Sequence, residues 1–221
     1  ALRRQDYLRA FRFYARMVSG APGFKLLLVE NSGADLTDFR AIAEAEGLGD
    51  RAELISYVAG ENPKYNRLFL ELGLVRVAME RSAFLQEDGI GIWKVTGRYL
   101  VRNLAALIKK RPDSFDIYLN LRNYPSRALD FYVGGFSRRG LEAVANRITD
   151  TLQTSTTGEN ILRDALENGA FEDMNFVARY RVVPWIEGVR GFDNRNYHGA
   201  TQSLKFAARY AANYAAPWLW I

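Results

Sequence analysis

The segment Ile90-Gly91-Ile92-Trp93-Lys94-Val95-Thr96-Gly97-Arg98-Tyr99-Leu100-Val101-Arg102-Asn103 changes its period halfway. Ile90, Ile92 and Val95 give the apolar pattern of a short buried strand. Thr96-Gly97-Arg98-Tyr99 does not continue such a strand. Gly97 frees the backbone to turn or to admit a ligand closely. Arg98 offers a planar fork of donors that suits phosphate or carboxylate, and Tyr99 adds a flat face and a hydroxyl. Leu100, Val101, Leu104, Leu107 and Ile108 then recur at helical spacing. A strand therefore ends, a Gly/Arg/Tyr turn is displayed, and a helix begins. Open α/β sheets bind ligands at such carboxyl strand ends. The plainer alternative is a turn whose arginine is solvated and whose tyrosine packs on the sheet.

Working upstream, Leu8, Phe11, Ala15 and Val18 share one face of an amphipathic helix over about residues 3–18. Ser19-Gly20-Ala21-Pro22-Gly23 breaks it. Phe24–Val29 is a continuous apolar run, which predicts a central strand covered on both faces. It ends in the polar loop Glu30-Asn31-Ser32-Gly33. Asp35 then caps a helix with Leu36, Phe39 and Ile42 on one face. Glu53–Val58 reads as a strand, Gly60–Pro63 as a loop, and Tyr65–Arg81 as a helix with Leu68, Phe69, Leu72, Val75 and Met79 inward.

Downstream, Phe115, Ile117, Leu119 and Leu121 alternate with Asp116, Tyr118, Asn120 and Arg122. That alternation predicts a strand with one wet face. Phe131-Tyr132-Val133 is a short strand running into the loop Gly134-Gly135-Phe136-Ser137, and Ser137 caps a helix over about 138–150. Glu159–Glu167 is a short helix, Ala178–Val183 a last strand, and 188–199 a Gly- and Asn-rich loop. Residues 200–221 form a carboxyl-terminal amphipathic helix. Alternating helices and strands predict a mostly parallel α/β sheet with helices on both faces. Residues 1–221 read as one domain.

The 221 residues are 48% hydrophobic and 25% charged, which suits a globular chain. With no cysteine and a single histidine, His198, thiolate and His-rich metal sites are excluded. The net charge of +5 favours anionic partners. No apolar run reaches the ~18 residues of a membrane span. Basic and aromatic residues at the carboxyl end (Lys205, Arg209, Tyr210, Tyr214, Trp218 and Trp220) suit an interfacial helix, or packing on the domain or another subunit.

A strand ending in Glu-Asn-Ser-Gly, then Lys94-x-Thr96-Gly97-Arg98-Tyr99, then Gly134-Gly135-Phe136-Ser137, then a Glu-led helix resembles a group of bacterial and viral glycosyltransferases of the GT-A type. These act in surface-polysaccharide synthesis, and the likeness runs over about residues 3–200. The resemblance implies a Rossmann-like GT-A fold, here without its first strand. It also implies a nucleotide-sugar donor and a glycan or lipid-linked acceptor, and a cytoplasmic enzyme at the inner face of the membrane. Carried over, Glu30, Asn31, Ser32, Lys64, Lys94, Thr96, Gly97, Arg98 and Tyr99 would hold the donor. Gly135, Ser137, Tyr197 and His198 would meet the acceptor, and Glu159 would be the catalytic carboxylate. Two departures stand out. The chain opens on a helix, and the Asp-x-Asp that usually holds a divalent metal is absent; Lys94, Thr96 and Arg98 stand in its region. No metal ligand is therefore assigned, and Arg or Lys would neutralise the leaving diphosphate. The competing class is a non-catalytic basic module for nucleic acid or acidic lipid. No nucleic-acid motif is present and the basic residues are spread along the chain, so nucleic acid is not the expected partner.

Overall fold

Helix α1 (Leu2–Ser19) buries Ala10, Phe11, Tyr14, Ala15 and Val18, the stripe that its apolar spacing marks out. A computed structural model describes residues 2–60, 66–124, 126–148, 158–188, 200–216 and 218. Strand β1 (Leu26–Glu30) is followed by α2 (Thr37–Ala45), β2 (Ala52–Ser56) and α3 (Arg67–Arg81). Next come β3 (Ile92–Val95), β4 (Tyr99–Val101), α4 (Leu104–Lys109), β5 (Ile117–Arg122) and β6 (Ala128–Phe136). The chain continues through α5 (Arg138–Arg147), α6 (Gly158–Glu167), β7 (Phe176–Val177), β8 (Ile186–Gly188) and α7 (Ala200–Ala215).

The class is α/β, but the expected strand polarity is overturned. Strands β1 and β2 pair in parallel, and a second sheet runs β3-β6-β5-β7 with β6 antiparallel to both neighbours. Strand β7 is parallel to β5, and β4 pairs antiparallel with β8. Three of the five pairings are therefore antiparallel. For β5 and β6 the cause lies in residues 123–127. So short a connection makes a hairpin, whereas a parallel crossover needs a dozen residues or more.

Helices cover both faces of the four-stranded sheet. Leu68 and Leu72 of α3, Leu141 and Val144 of α5 and Leu162 of α6 pack on Ile117, Leu119, Leu121 and Phe131. On the other face, Ala10 and Tyr14 of α1 and Leu104 and Leu107 of α4 pack with Tyr118, Val133 and Tyr180. A third cluster joins α1 to α2 through Phe11, Ala15, Phe39 and Ile42, over Leu26, Leu28 and Leu54. This second layer explains why the wet face expected for β5 does not exist. Tyr118 is only 1% exposed and Asn120 8%. Both are satisfied inside: the Tyr118 hydroxyl accepts the Arg181 N–H at 2.9 Å, and Asn120 Nδ2 donates to Asp130 at 3.1 Å.

Three further expectations change. Strand β1 is not central: among the described residues it pairs only with β2, and all five of its residues are half-buried. A short β4 precedes α4, so the helix starts at Leu104 rather than Leu100. Residues 178–183 are not a strand; the local strands are β7 and β8 on either side. The phenol of Tyr14 clamps β4 from α1. Its hydroxyl donates to the Tyr99 carbonyl at 2.8 Å and accepts the Val101 N–H at 2.9 Å.

The Asp130 carboxylate holds the β5–β6 hairpin. It accepts both Nε and Nη2 of Arg122, at 2.8 and 3.1 Å, besides Asn120. Removing it strands a largely buried guanidinium. Asp130→Ala is therefore expected to cost about 3–5 kcal/mol in urea unfolding. A loss below about 1 kcal/mol would show a pair that behaves like an exposed one.

Candidate functional site

Strand β3 carries Lys94 into the interior. Its ammonium pairs with Glu71 of α3 at 2.5 Å, donates to the Phe131 carbonyl and to Thr96 Oγ1 at 3.3 Å, and lies 4.0 Å from the centre of the Phe131 ring. Thr96 Oγ1 in turn donates to Glu71 at 2.7 Å. Burial pushes the Lys94 pKa down, while Glu71 and, more weakly, Glu159 oppose the shift. Glu159 opens α6 as an exposed carboxylate within electrostatic reach of Lys94. Lys94 and Thr96 thus come together with Glu71, a member that sequence reading missed, while Glu159 acts on Lys94 only as a weak charge at longer range. The one available signal was a lone carboxylate inside Leu68-Phe69-Leu70-Glu71-Leu72.

The turn that follows is closed by the Tyr99 N–H to the Thr96 carbonyl at 3.0 Å. A Cβ on Gly97 would meet the Tyr7 ring at 3.0 Å, so the close approach that Gly97 permits is made by Tyr7 of α1. Arg98 lies with its guanidinium 5.9 Å from the centre of that same ring and is 8% exposed. Among the described residues its side chain makes no hydrogen bond or ion pair. The Tyr99 ring packs edge-on against Tyr132, centroids 6.1 Å apart.

At the carboxyl ends of β1 and β2, Glu30 closes its own loop. It accepts the N–H groups of Ser32 and Ala34 at 2.8 and 3.1 Å and the Ser56 hydroxyl at 3.2 Å. Partial burial raises its pKa, and these bonds outweigh that, so the carboxyl sits below its usual range. The Asn31 carbonyl accepts the Ala59 N–H, and Ser32 is exposed on the loop. Beside this loop an open hollow of about 430 Å³ is lined by Asp35, Arg40, Ser56 and Arg81. Helix α3, which supplies Glu71 and Arg81, packs against β1.

Gly135 and Ser137 do not join this site. Antiparallel pairing sets Val95 opposite Val133 but Ile92 opposite Phe136, which places the end of β6 at the start of β3. Gly134 and Gly135 belong to the strand: a Cβ on Gly134 would meet the Phe136 ring at 2.6 Å, and one on Gly135 would meet the Phe115 and Trp93 rings at 3.2 and 3.3 Å. They make room for packing. Ser137 Oγ caps α5 by accepting the Gly140 N–H at 3.0 Å, and it donates to Asp116 at 2.7 Å. Lys64, Tyr197 and His198 lie outside the described residues.

Among the described residues no group of three or more acidic or histidine side chains could hold a metal ion. Among the described residues no helix is long and apolar enough to cross a membrane. Set against protein-family models, curated proteins and solved structures, the chain matches none.

The Lys94–Glu71 pair yields a test of its own. Glu71→Ala leaves a buried ammonium without its carboxylate and is expected to cost about 3–5 kcal/mol in chemical denaturation. The paired change Lys94→Met with Glu71→Leu should recover most of that loss. If the double variant is as unstable as Glu71→Ala, the pair is not what holds β3 to α3.

Proposed function

We propose that the chain is a glycosyltransferase. It moves a sugar from a nucleotide-sugar donor to a glycan or lipid-linked acceptor in surface-polysaccharide synthesis, on a GT-A-like frame at the cytoplasmic face of a membrane. The observation that supports this reading best is Arg98. Its guanidinium has no acceptor among the described residues, and a donor diphosphate would offer it a bidentate one. In this reading Arg98 takes the phosphates, and Glu159 takes the proton of the acceptor hydroxyl. That oxygen forms the new bond to the anomeric carbon as the bond to the donor phosphate breaks. The nucleoside diphosphate leaves with its charge held by Arg98. Lys94 is engaged by Glu71, so its role is to hold Thr96 and the turn in place.

The reading that competes is a non-catalytic basic module for nucleic acid or acidic lipid, which the arginines of α1 favour. A thermal-shift titration with nucleoside diphosphates and nucleotide sugars separates the two. A ligand at 100 times its Kd should add about 2.7 kcal/mol of stability. Arg98→Ala should abolish the shift. Arg98→Lys should still weaken it, because the point charge lacks the bidentate fork. An unchanged shift in both variants would remove Arg98 from the donor site. Glu159→Gln keeps shape without basicity, so turnover should fall by about 10²–10⁴ with donor affinity unchanged. Loss of donor binding at undiminished turnover would instead make Glu159 a donor contact.

A further inference from the structure

The solvent side of α1 carries Arg9, Arg12 and Arg16 at spacings of three and four, so they share one face over roughly 10 Å of helix. With Arg102 beyond β4 they border an open trough of about 800 Å³, floored by Leu8, Phe13, Met17 and Leu100. Carboxylates reach three of these four cations. Glu187 lies 3.7 Å from Arg9 and 2.6 Å from Arg102, and Glu46 lies 2.9 Å from Arg16. Arg12 has no partner among the described residues. The Arg102 guanidinium lies 5.3 Å from the centre of the Phe13 ring, which ties charge to the apolar floor.

A second surface is joined to this one. Helix α7 meets the rest of the fold through Asn213, which bonds Arg179, and through Phe206, which stacks on Trp185 at 5.2 Å. Its outward side carries Leu204 and Tyr214, at 70% and 88% exposure, and leads to Trp218 at 73%. Trp185 immediately precedes β8, and Glu187 lies within it. Glu187 meets the trough arginines there, and the Trp185 carbonyl accepts the Arg102 N–H at 2.8 Å.

We propose that the arginine trough of α1 docks on the headgroups of an anionic phospholipid bilayer, with the outward aromatic side of α7 entering the same interface. The pairing of charge with apolar and aromatic groups decides between anionic surfaces. Phosphodiester headgroups over acyl chains satisfy both sets of side chains. A nucleic-acid backbone satisfies the guanidinium groups and leaves Leu204, Tyr214 and Trp218 in water. The trough is open along the helix, as suits a broad surface. The proposal does not depend on the donor site.

The test is co-sedimentation of the whole chain with vesicles of phosphatidylcholine alone and of equal parts phosphatidylcholine and phosphatidylglycerol, at low and high salt. Binding is expected only to the anionic vesicles and should weaken with salt. Arg12→Glu with Arg16→Glu should lower partitioning about tenfold or more, and the same positions changed to Lys should restore it. Tyr214→Ser with Trp218→Ser should weaken binding at high salt most. Arg98→Ala should bind vesicles like the parent chain, which keeps this result separate from any failure of the donor site. Equal binding to both vesicles, or charge-reversed variants that bind undiminished with an unchanged melting curve, would overturn the proposal. So would arginine-dependent capture of a single-stranded oligonucleotide with no vesicle binding.

Discussion

Strand β6 is hydrogen-bonded along both edges, to β3 on one side and to β5 on the other, and runs opposite to each. That constraint governs the rest. It makes β3 and β5 parallel to one another, with β4 and α4 in the connection between them. It also fixes which segments meet. The turn after β3 lies beside Tyr132, whose carbonyl accepts the Thr96 N–H at 2.9 Å. Gly135 and the Ser137 cap are carried to the other end of the sheet. Helix α6 packs on β6 and so brings Glu159 towards Lys94.

The charged groups of this chain divide by whether the fold itself answers them. Lys94 is matched by Glu71, Asp130 by Arg122 and Asn120, and Glu30 by two amides and a hydroxyl. Arg163, 2% exposed, spends its donors on the carbonyls of Arg122 and Ala128 and on Asn123 and Glu167. Such groups secure turns and strand ends, and their charge is not free for a ligand. Arg98 differs. It sits as deep as several of these, yet among the described residues it meets the Tyr7 ring and no acceptor. A largely buried cation is a better pointer to function than a count of arginines.

Local patterns in the sequence were legible where a single element decides its own outcome. The stripe of α1, the strand at Ile92–Val95 and the Ser137 cap all follow from spacing or from one side chain's chemistry. Strand polarity was only partly legible: the short 123–127 connection makes β5 and β6 a hairpin, whereas the pairings of β3 with β6 and of β4 with β8 depend on partners far away in sequence. Gly134-Gly135 reads as a loop locally, and only the rings of Trp93, Phe115 and Phe136 explain why glycine is needed inside β6. Tyr118 and Asn120 read as a wet face, because alternation cannot show that Tyr180 and Asp130 will meet them indoors. The candidate site was legible at Lys94–Tyr99 as a segment. Glu71 and Tyr7 were not, since each lies on a helix whose docking decides what it touches.

The Tyr14 phenol has a consequence for motion. One hydroxyl bonds two backbone groups of β4 and takes the place that a neighbouring strand would otherwise fill. The Val101 amide is thereby shielded from exchange with water on a side where β4 has no strand beside it among the described residues. Opening of the Arg98 turn cannot proceed as a private fluctuation of a short loop. It requires α1 to lift as well, which ties the local opening free energy of that segment to the packing of an eighteen-residue helix.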